Sequence, residues 1–203
     1  MRRFGCTNGR KKNGKDVLVA TGEVVSSPAM TSLAPGQQQL VRIIVMQPGI
    51  RAQEQSYRLV IDELPDATSR AANPTAVHFL LRYSIPVFIA GNQSAPVSHD
   101  ALSCEQSEIP ATLRCFNAGN RHIRLSHLEA LTADGQVVGS IKGLAGYVLP
   151  GQTALLPLKH ASRHALSTLR VYLNEDHHAS QIPLRPLASR APVLATAHAV
   201  SPD

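Results

Sequence analysis

Residues 76–89 read AVHFLLRYSIPVFI and form the longest near-continuous apolar run of the chain. Taken with period two, Val77, Phe79, Leu81, Tyr83, Ile85 and Val87 share one side, all apolar or aromatic, and His78, Leu80, Arg82, Ser84, Pro86 and Phe88 alternate with them. Successive side chains of a strand point to opposite faces, so the pattern predicts a strand with one strongly apolar face. Fourteen residues would span about 45 Å at about 3.3 Å each, whereas strands average about 5–6 residues. Pro86 has no N–H to donate and belongs at an edge, a strand start or a bulge. The run therefore predicts a long apolar strand with one unpaired side, a liability that a protein must either cover or use. A membrane-crossing helix takes about 20 apolar residues; this run is shorter and carries Arg82 and Pro86, which argues against membrane insertion.

Around this run the composition points to an all-β protein. Hydrophobic residues make up 43% of 203, enough for real cores, but aromatics are only 4% and Trp is absent, so aliphatic side chains must do the packing. Pro and Gly punctuate many short Val, Ile and Leu runs, which read as strands separated by turns, and no helical periodicity is sustained. The formal charge of +6 is not spread evenly. Residues 1–16 hold six basic groups against Asp16, while the remaining 187 residues carry 14 basic and 13 acidic groups. The body of the chain is thus nearly neutral, and no helix-turn-helix, zinc-ligand or RNA-binding aromatic pattern accompanies the basic end, so nucleic acid is not expected as a partner.

The order of motifs divides the chain into two parts. Strands are expected at 17–25, 39–46 and 56–64, with turns at Leu33–Gln37 and Pro48-Gly49 and a polar loop over 66–75 before the apolar run. Residues 91–98, GNQSAPVS, break the composition and read as an interdomain linker. Beyond them, short strands are expected at 111–117, 123–132, 137–141, 143–149, 153–158, 168–174 and 179–184, with a hairpin turn at Asp134-Gly135. Such spacing suits a β-sandwich. Leu33-Ala34-Pro35-Gly36-Gln37 returns as Val148-Leu149-Pro150-Gly151-Gln152, an echo that suits two related sandwiches in tandem. The expected division is an unpatterned basic segment 1–16, domains over 17–91 and 92–186, and a disordered tail 187–203.

Signatures of catalysis and of metal binding are missing. His160 and His164 stand at i and i+4, and His177-His178 adjoin, but no HExxH motif or carboxylate at ligand spacing accompanies them. Asp62-Glu63 sit side by side on a strand and so face opposite ways. There is no phosphate loop and no nucleophile elbow. The chain is read as a non-enzyme with no cofactor and no metal. Cys104 and Cys115 lie eleven residues apart around a turn at Glu108-Ile109-Pro110; they are placed either to bridge across a hairpin or to remain as two reduced thiols, and Cys6 is left over. The first sixteen residues contain no apolar core or cleavage site of a secretory signal.

Five segments in order then carry a resemblance: SLAPGQQQLVRI (32–43), SYRLVIDELP (56–65), RYSIPVF (82–88), NAGNRHIRLS (117–126) and GLAGYVLPGQ (143–152). Together they strongly resemble the periplasmic chaperones of chaperone/usher pilus assembly, over about residues 17–186. The resemblance implies two immunoglobulin-like β-sandwiches, residence in the periplasm, and two partners, pilus subunits and the outer-membrane usher. It implies that a subunit lacking its final strand borrows one from the chaperone, the donor-strand complementation known as a recognition mode. The donor residues would be Val77, Phe79, Leu81, Tyr83 and Ile85. Family members anchor the subunit's terminal carboxylate with an Arg on the first strand and a Lys in the donor strand; the Lys position here is Pro86, and Arg82 is the candidate substitute. Upstream of Val17 the family would have a signal peptide and at least two further strands, so the sequence also predicts a first sandwich missing its N-terminal strands, and with it an alternative reading as an inactive remnant.

Overall fold

The computed structural model describes residues 1–12, 15–46, 49–65, 79–91, 99–159 and 165–185. These residues form two immunoglobulin-like β-sandwiches in tandem, with no α-helix among them.

In the first sandwich the main sheet runs in the order β2 (Lys15–Ala20), β1 (Arg2–Lys12), β6 (Gln55–Glu63), β7 (Arg82–Ile89), and β4 (Met30–Thr31) also pairs with β1. The second layer is the antiparallel pair β3 (Val24–Ser27) and β5 (Arg42–Val45). β1 corrects the expectation of an unpatterned basic segment. Its sequence, RRFGCTNGRKK, has Gly and Asn and little alternation, so local propensity hides it. Pairing decides instead: β1 lies between β2 and β6, and Phe4 enters the core, which it shares with Val24, Tyr57 and Leu59. The expected strand at 17–25 is broken at Thr21-Gly22 into β2 and β3, which belong to different layers. Tyr57, fully buried, donates its hydroxyl to Glu23 Oε2 at 2.8 Å, tying the two layers. Burial, reinforced by that hydrogen bond, pushes the phenol up to about 12.

The second sandwich has seven strands: β8 (Leu102–Gln106), β9 (Thr112–Asn117), β10 (Ile123–Leu131), β11 (Val137–Val148), β12 (Thr153–Pro157), β13 (Thr168–Leu173) and β14 (Ser180–Arg185). They are bonded in the order β11-β10-β13-β14-β8-β9-β12, folded over at the parallel pairing of β14 with β8. Alternate residues of β10 and β13, among them Ile123, Leu125, Leu169, Val171 and Leu173, are buried in one cluster. The two expected strands at 137–141 and 143–149 are one strand, β11. Gly143 and Gly146 stand there at positive φ, which lets the strand continue through a distortion that read as a break in the sequence. Cys104 and Cys115 stand directly opposite in the β8–β9 ladder and are joined by a disulfide.

Two sequence motifs acquire a physical reason. In the Pro-Gly-Gln echo, Gln37 N–H donates to Ala34 O and Gln152 N–H to Leu149 O, both at 3.1 Å, with Gly36 and Gly151 at positive φ. The same type II turn is built twice, Pro leading and Gly supplying the left-handed residue. In the NAGN motif, buried Asn117 donates to the carbonyls of Arg121 (2.7 Å) and Val148 (2.9 Å) and accepts from Gly119 N–H (2.8 Å). One side chain thereby satisfies three backbone groups inside the sandwich.

Candidate functional site: the free edge of β7

β7 pairs antiparallel with β6 in continuous register, from Gln55 opposite Ile89 to Asp62 opposite Arg82. Among the described residues nothing pairs with its other side. The regular strand begins at Arg82, so the ladder is shorter than the fourteen residues the sequence suggested. The chain just before it still follows β6: Glu63 N–H donates to Leu81 O at 2.9 Å. Pro86, opposite Arg58, has its missing donor at an edge, as proline requires.

Across the sheet, Tyr83 stands beside Ile61 and Phe4, and Ile85 beside Leu59 and Cys6. Phe4 and Leu59 are buried. The apolar row therefore starts in the core of the first sandwich and runs out past its edge: Ile85 is 45% exposed, Tyr83 52%, Leu81 51% and Phe79 82%. Isolated exposed apolar side chains are ordinary; Tyr83 and Ile85 half exposed on an unpaired edge, with Phe79, Leu80 and Leu81 exposed just before it, are not. Val77, the fifth expected donor, lies outside the described residues, as does the 66–75 loop. The structure thus places Tyr83 and Ile85 on the free edge of β7, with Phe79 and Leu81 exposed in the chain just before it.

Arg82 points to the other face, where it joins a row across three strands. Asp62 Oδ1 accepts from Arg82 Nε, and Asp62 Oδ2 from Arg3 Nη2 at 2.7 Å. The Arg82 hydrogen bond, followed by that from Arg3, holds the Asp62 carboxyl below the usual carboxylate range. Glu63, on the opposite side of β6, is likewise lowered by Arg2 and by the Leu81 N–H. Asp62 and Glu63 are thus ion-pair partners that tie β7 and β1 to β6. Arg3 went unnoticed in the sequence because β1 did; only the strand register puts it beside Asp62.

Elsewhere, His160 and His164 fall outside the described residues. His177 lines an open cleft of about 730 Å³ on the second sandwich, along with Arg124, His127, Arg170 and Tyr172. Among the described residues no three His, Cys, Asp or Glu side chains are grouped as metal ligands. No described helix is long and apolar enough to cross a membrane.

Tandem immunoglobulin-like sandwiches, the first with an apolar strand at a free edge, define the class by its fold. Comparison with known proteins makes the class specific. Residues 6–93 match the family described as pili and flagellar-assembly chaperone, PapD N-terminal domain. The match begins within β1, further upstream than the sequence reading placed the first domain. The fold of the chain is similar to that in the CsuC–CsuE chaperone–tip adhesion subunit pre-assembly complex of Acinetobacter baumannii Csu pili. There the TM-score is 0.64 at 20% identity, covering 92% of this chain and 85% of the other. It is similar also to the CupB2 chaperone of Pseudomonas aeruginosa (TM-score 0.57, 19% identity, 91% and 85% covered) and the DraB chaperone of E. coli (0.52, 15%, 90% and 81%). No curated protein sequence matches the chain. The family match thus covers the first sandwich, and the fold as a whole is similar to the folds of these pilus chaperones.

Proposed function

We propose that this protein is a non-enzymatic periplasmic chaperone that holds pilus subunits by donor-strand complementation and delivers them to an outer-membrane usher. The observation that carries the reading is the unpaired edge of β7 with Tyr83 and Ile85 exposed on it and Phe79 and Leu81 exposed just before it. Main-chain pairing along such an edge supplies affinity, and side chains at every second position fill pockets in the partner. Val77 is the fifth proposed donor by its sequence position alone, and Arg82, its guanidinium held beside Asp62, is the candidate contact for a subunit carboxylate. The buried Cys104–Cys115 disulfide supports an oxidising compartment such as the periplasm.

The test is co-purification with a pilus subunit that lacks its final strand. Phe79→Asp and Leu81→Asp should each abolish the complex while the second sandwich keeps its melting transition. Undiminished capture of the subunit by both variants would refute the reading. A second reading, an inactive remnant, is favoured by one observation: the first sandwich buries few apolar residues while Leu40, Met46 and Ile50 are exposed. It requires that the wild-type first sandwich show no cooperative unfolding transition of its own and that wild-type protein capture no subunit.

A further inference from the structure

The outward face of β10 and β13 carries polar side chains that the proposed function does not use. Along β10 the core positions are Ile123, Leu125, Leu128 and Ala130, so one residue too many stands between Leu125 and Leu128. The ladder to β13 shows where it goes. Ser126 is opposite Tyr172 and the next pair is Glu129 with Arg170, which sets His127 and Leu128 against Val171 alone. Such a β-bulge re-aims a side chain. Leu128 takes the core position, and His127 is left exposed on the outer face at φ 48°, a left-handed conformation in which His is among the better tolerated side chains. Tyr172, on the outward side of β13, meets the His127 ring nearly at right angles with centroids 5.9 Å apart and keeps 36% of its surface exposed.

Two arginines accompany this aromatic pair, and each is held in place. Arg170 donates from Nε at 2.7 Å and from Nη2 to the same oxygen, Glu129 Oε2. That leaves its Nη1 donors and the second Glu129 oxygen without a partner among the described residues. Arg124 donates from Nε to Asn174 O at 3.1 Å and pairs through Nη2 with Glu175 at 3.2 Å, while Asn174 Oδ1 accepts the Arg124 backbone N–H at 3.0 Å. The open cleft of about 730 Å³ that these residues line carries Arg124 and Arg170 against Glu129 and Asp176, a formal balance. A balanced lining gives an ion of either sign no net attraction. What it offers is planar donors fixed next to acceptors, together with an exposed aromatic surface. A sugar ring presents the complement, hydroxyls that each donate and accept around its rim and C–H groups on its faces that pack on aromatic carbon. We propose that this cleft on the second sandwich binds a neutral oligosaccharide, with Tyr172 and His127 meeting a ring face and Arg124, Arg170 and Glu129 its hydroxyls. The site is independent of the β7 edge and of the function proposed for it.

An NMR titration of the full chain with three neutral trisaccharides, maltotriose, cellotriose and triacetylchitotriose, tests this. At least one should shift the amides of Ser126, His127 and Tyr172 along a saturable curve and leave those of Leu113 and Cys115, in β9, where they are. Tyr172→Ala and Arg170→Ala should each weaken that binding by about tenfold, the order expected for one aromatic contact or one hydrogen bond from a charged group. Both residues face outward, so the amides of Leu125 and Leu173 should keep their exchange protection in either variant. The absence of a saturable shift at Ser126, His127 and Tyr172 with all three sugars would overturn the proposal, as would undiminished binding by both variants. So would tighter, salt-sensitive binding of the acidic trisaccharide trigalacturonate, because the cleft would then select charge.

Discussion

The two sandwiches use the same architecture to opposite ends. The second buries seventeen residues in one apolar cluster, bonds its strands in one continuous order and pins β8 to β9 with a disulfide. Among its described residues the first buries four apolar side chains, closes its second layer with two strands, and shows no partner at either edge of its main sheet, β2 or β7. Stability is concentrated in one half of the molecule and the exposed, usable edge in the other. Under the proposed function, a strand offered to a partner must not be satisfied at home, and a loose edge is then a working requirement rather than a defect.

That contrast can be broken most decisively in the second core. Leu125→Ala or Leu173→Ala, at fully buried positions, should cost about 2–5 kcal/mol in chemical denaturation. Ile85→Ala on the β7 edge should change stability by no more than about 0.5 kcal/mol, the range of exposed substitutions. Comparable losses at both places would mean that β7 is part of a closed core. Next in size, reducing the Cys104–Cys115 bridge or replacing both cysteines by Ala should destabilise the second sandwich by about 3 kcal/mol, as expected for a short loop closed by a disulfide. The transition of the first sandwich should not move.

The smallest effect depends on pH and falls on the first sandwich. Asp62 and Glu63 have folded pKa values depressed by Arg82, Arg3 and Arg2. Their contribution is therefore present above the ordinary carboxylate value of about 4 and is lost as pH falls through the lowered folded values. Below about pH 4, amides of β7 facing β6 should exchange faster while those of β10 and β13 hold, and Asp62→Asn should remove most of that pH dependence. At the alkaline end the sign reverses. Tyr57, raised to about 12, leaves stability intact below the ordinary tyrosine value of about 10 and lowers it as pH climbs from there towards 12.

How legible each half was in the sequence follows from the same contrast. In the second sandwich, strands alternate cleanly and turns carry Pro, Gly and Asp where geometry demands them, so β9, β10, β12, β13 and β14 fall close to where the pattern put them. β11 was misdivided, because Gly143 and Gly146 mimic a turn while serving a distortion, and β8 at Leu102–Gln106 was not expected. In the first sandwich, β1 was invisible: a basic strand with Gly5, Asn8 and Gly9 becomes a central strand only through its neighbours. The strand carrying Tyr83 and Ile85 was legible because its alternation is plain in the sequence, though it starts only at Arg82. Its supports were not: Arg3 and Asp62 meet through strand register, which no local pattern encodes.

The central claim is that the β7 edge, and not exposure in general, receives the subunit. The same sheet supplies its own control, since Val19 on β2 is also on an unpaired edge and is as exposed as Ile85, each at 45%. A photo-crosslinking side chain placed at Tyr83, at Ile85 or at Val19 in the periplasm of cells making pilus subunits measures this directly. The account predicts strong crosslinks to the subunit from Tyr83 and Ile85 and none above background from Val19. Equal crosslinking from Val19, or none from the β7 positions while subunits are present, would contradict it.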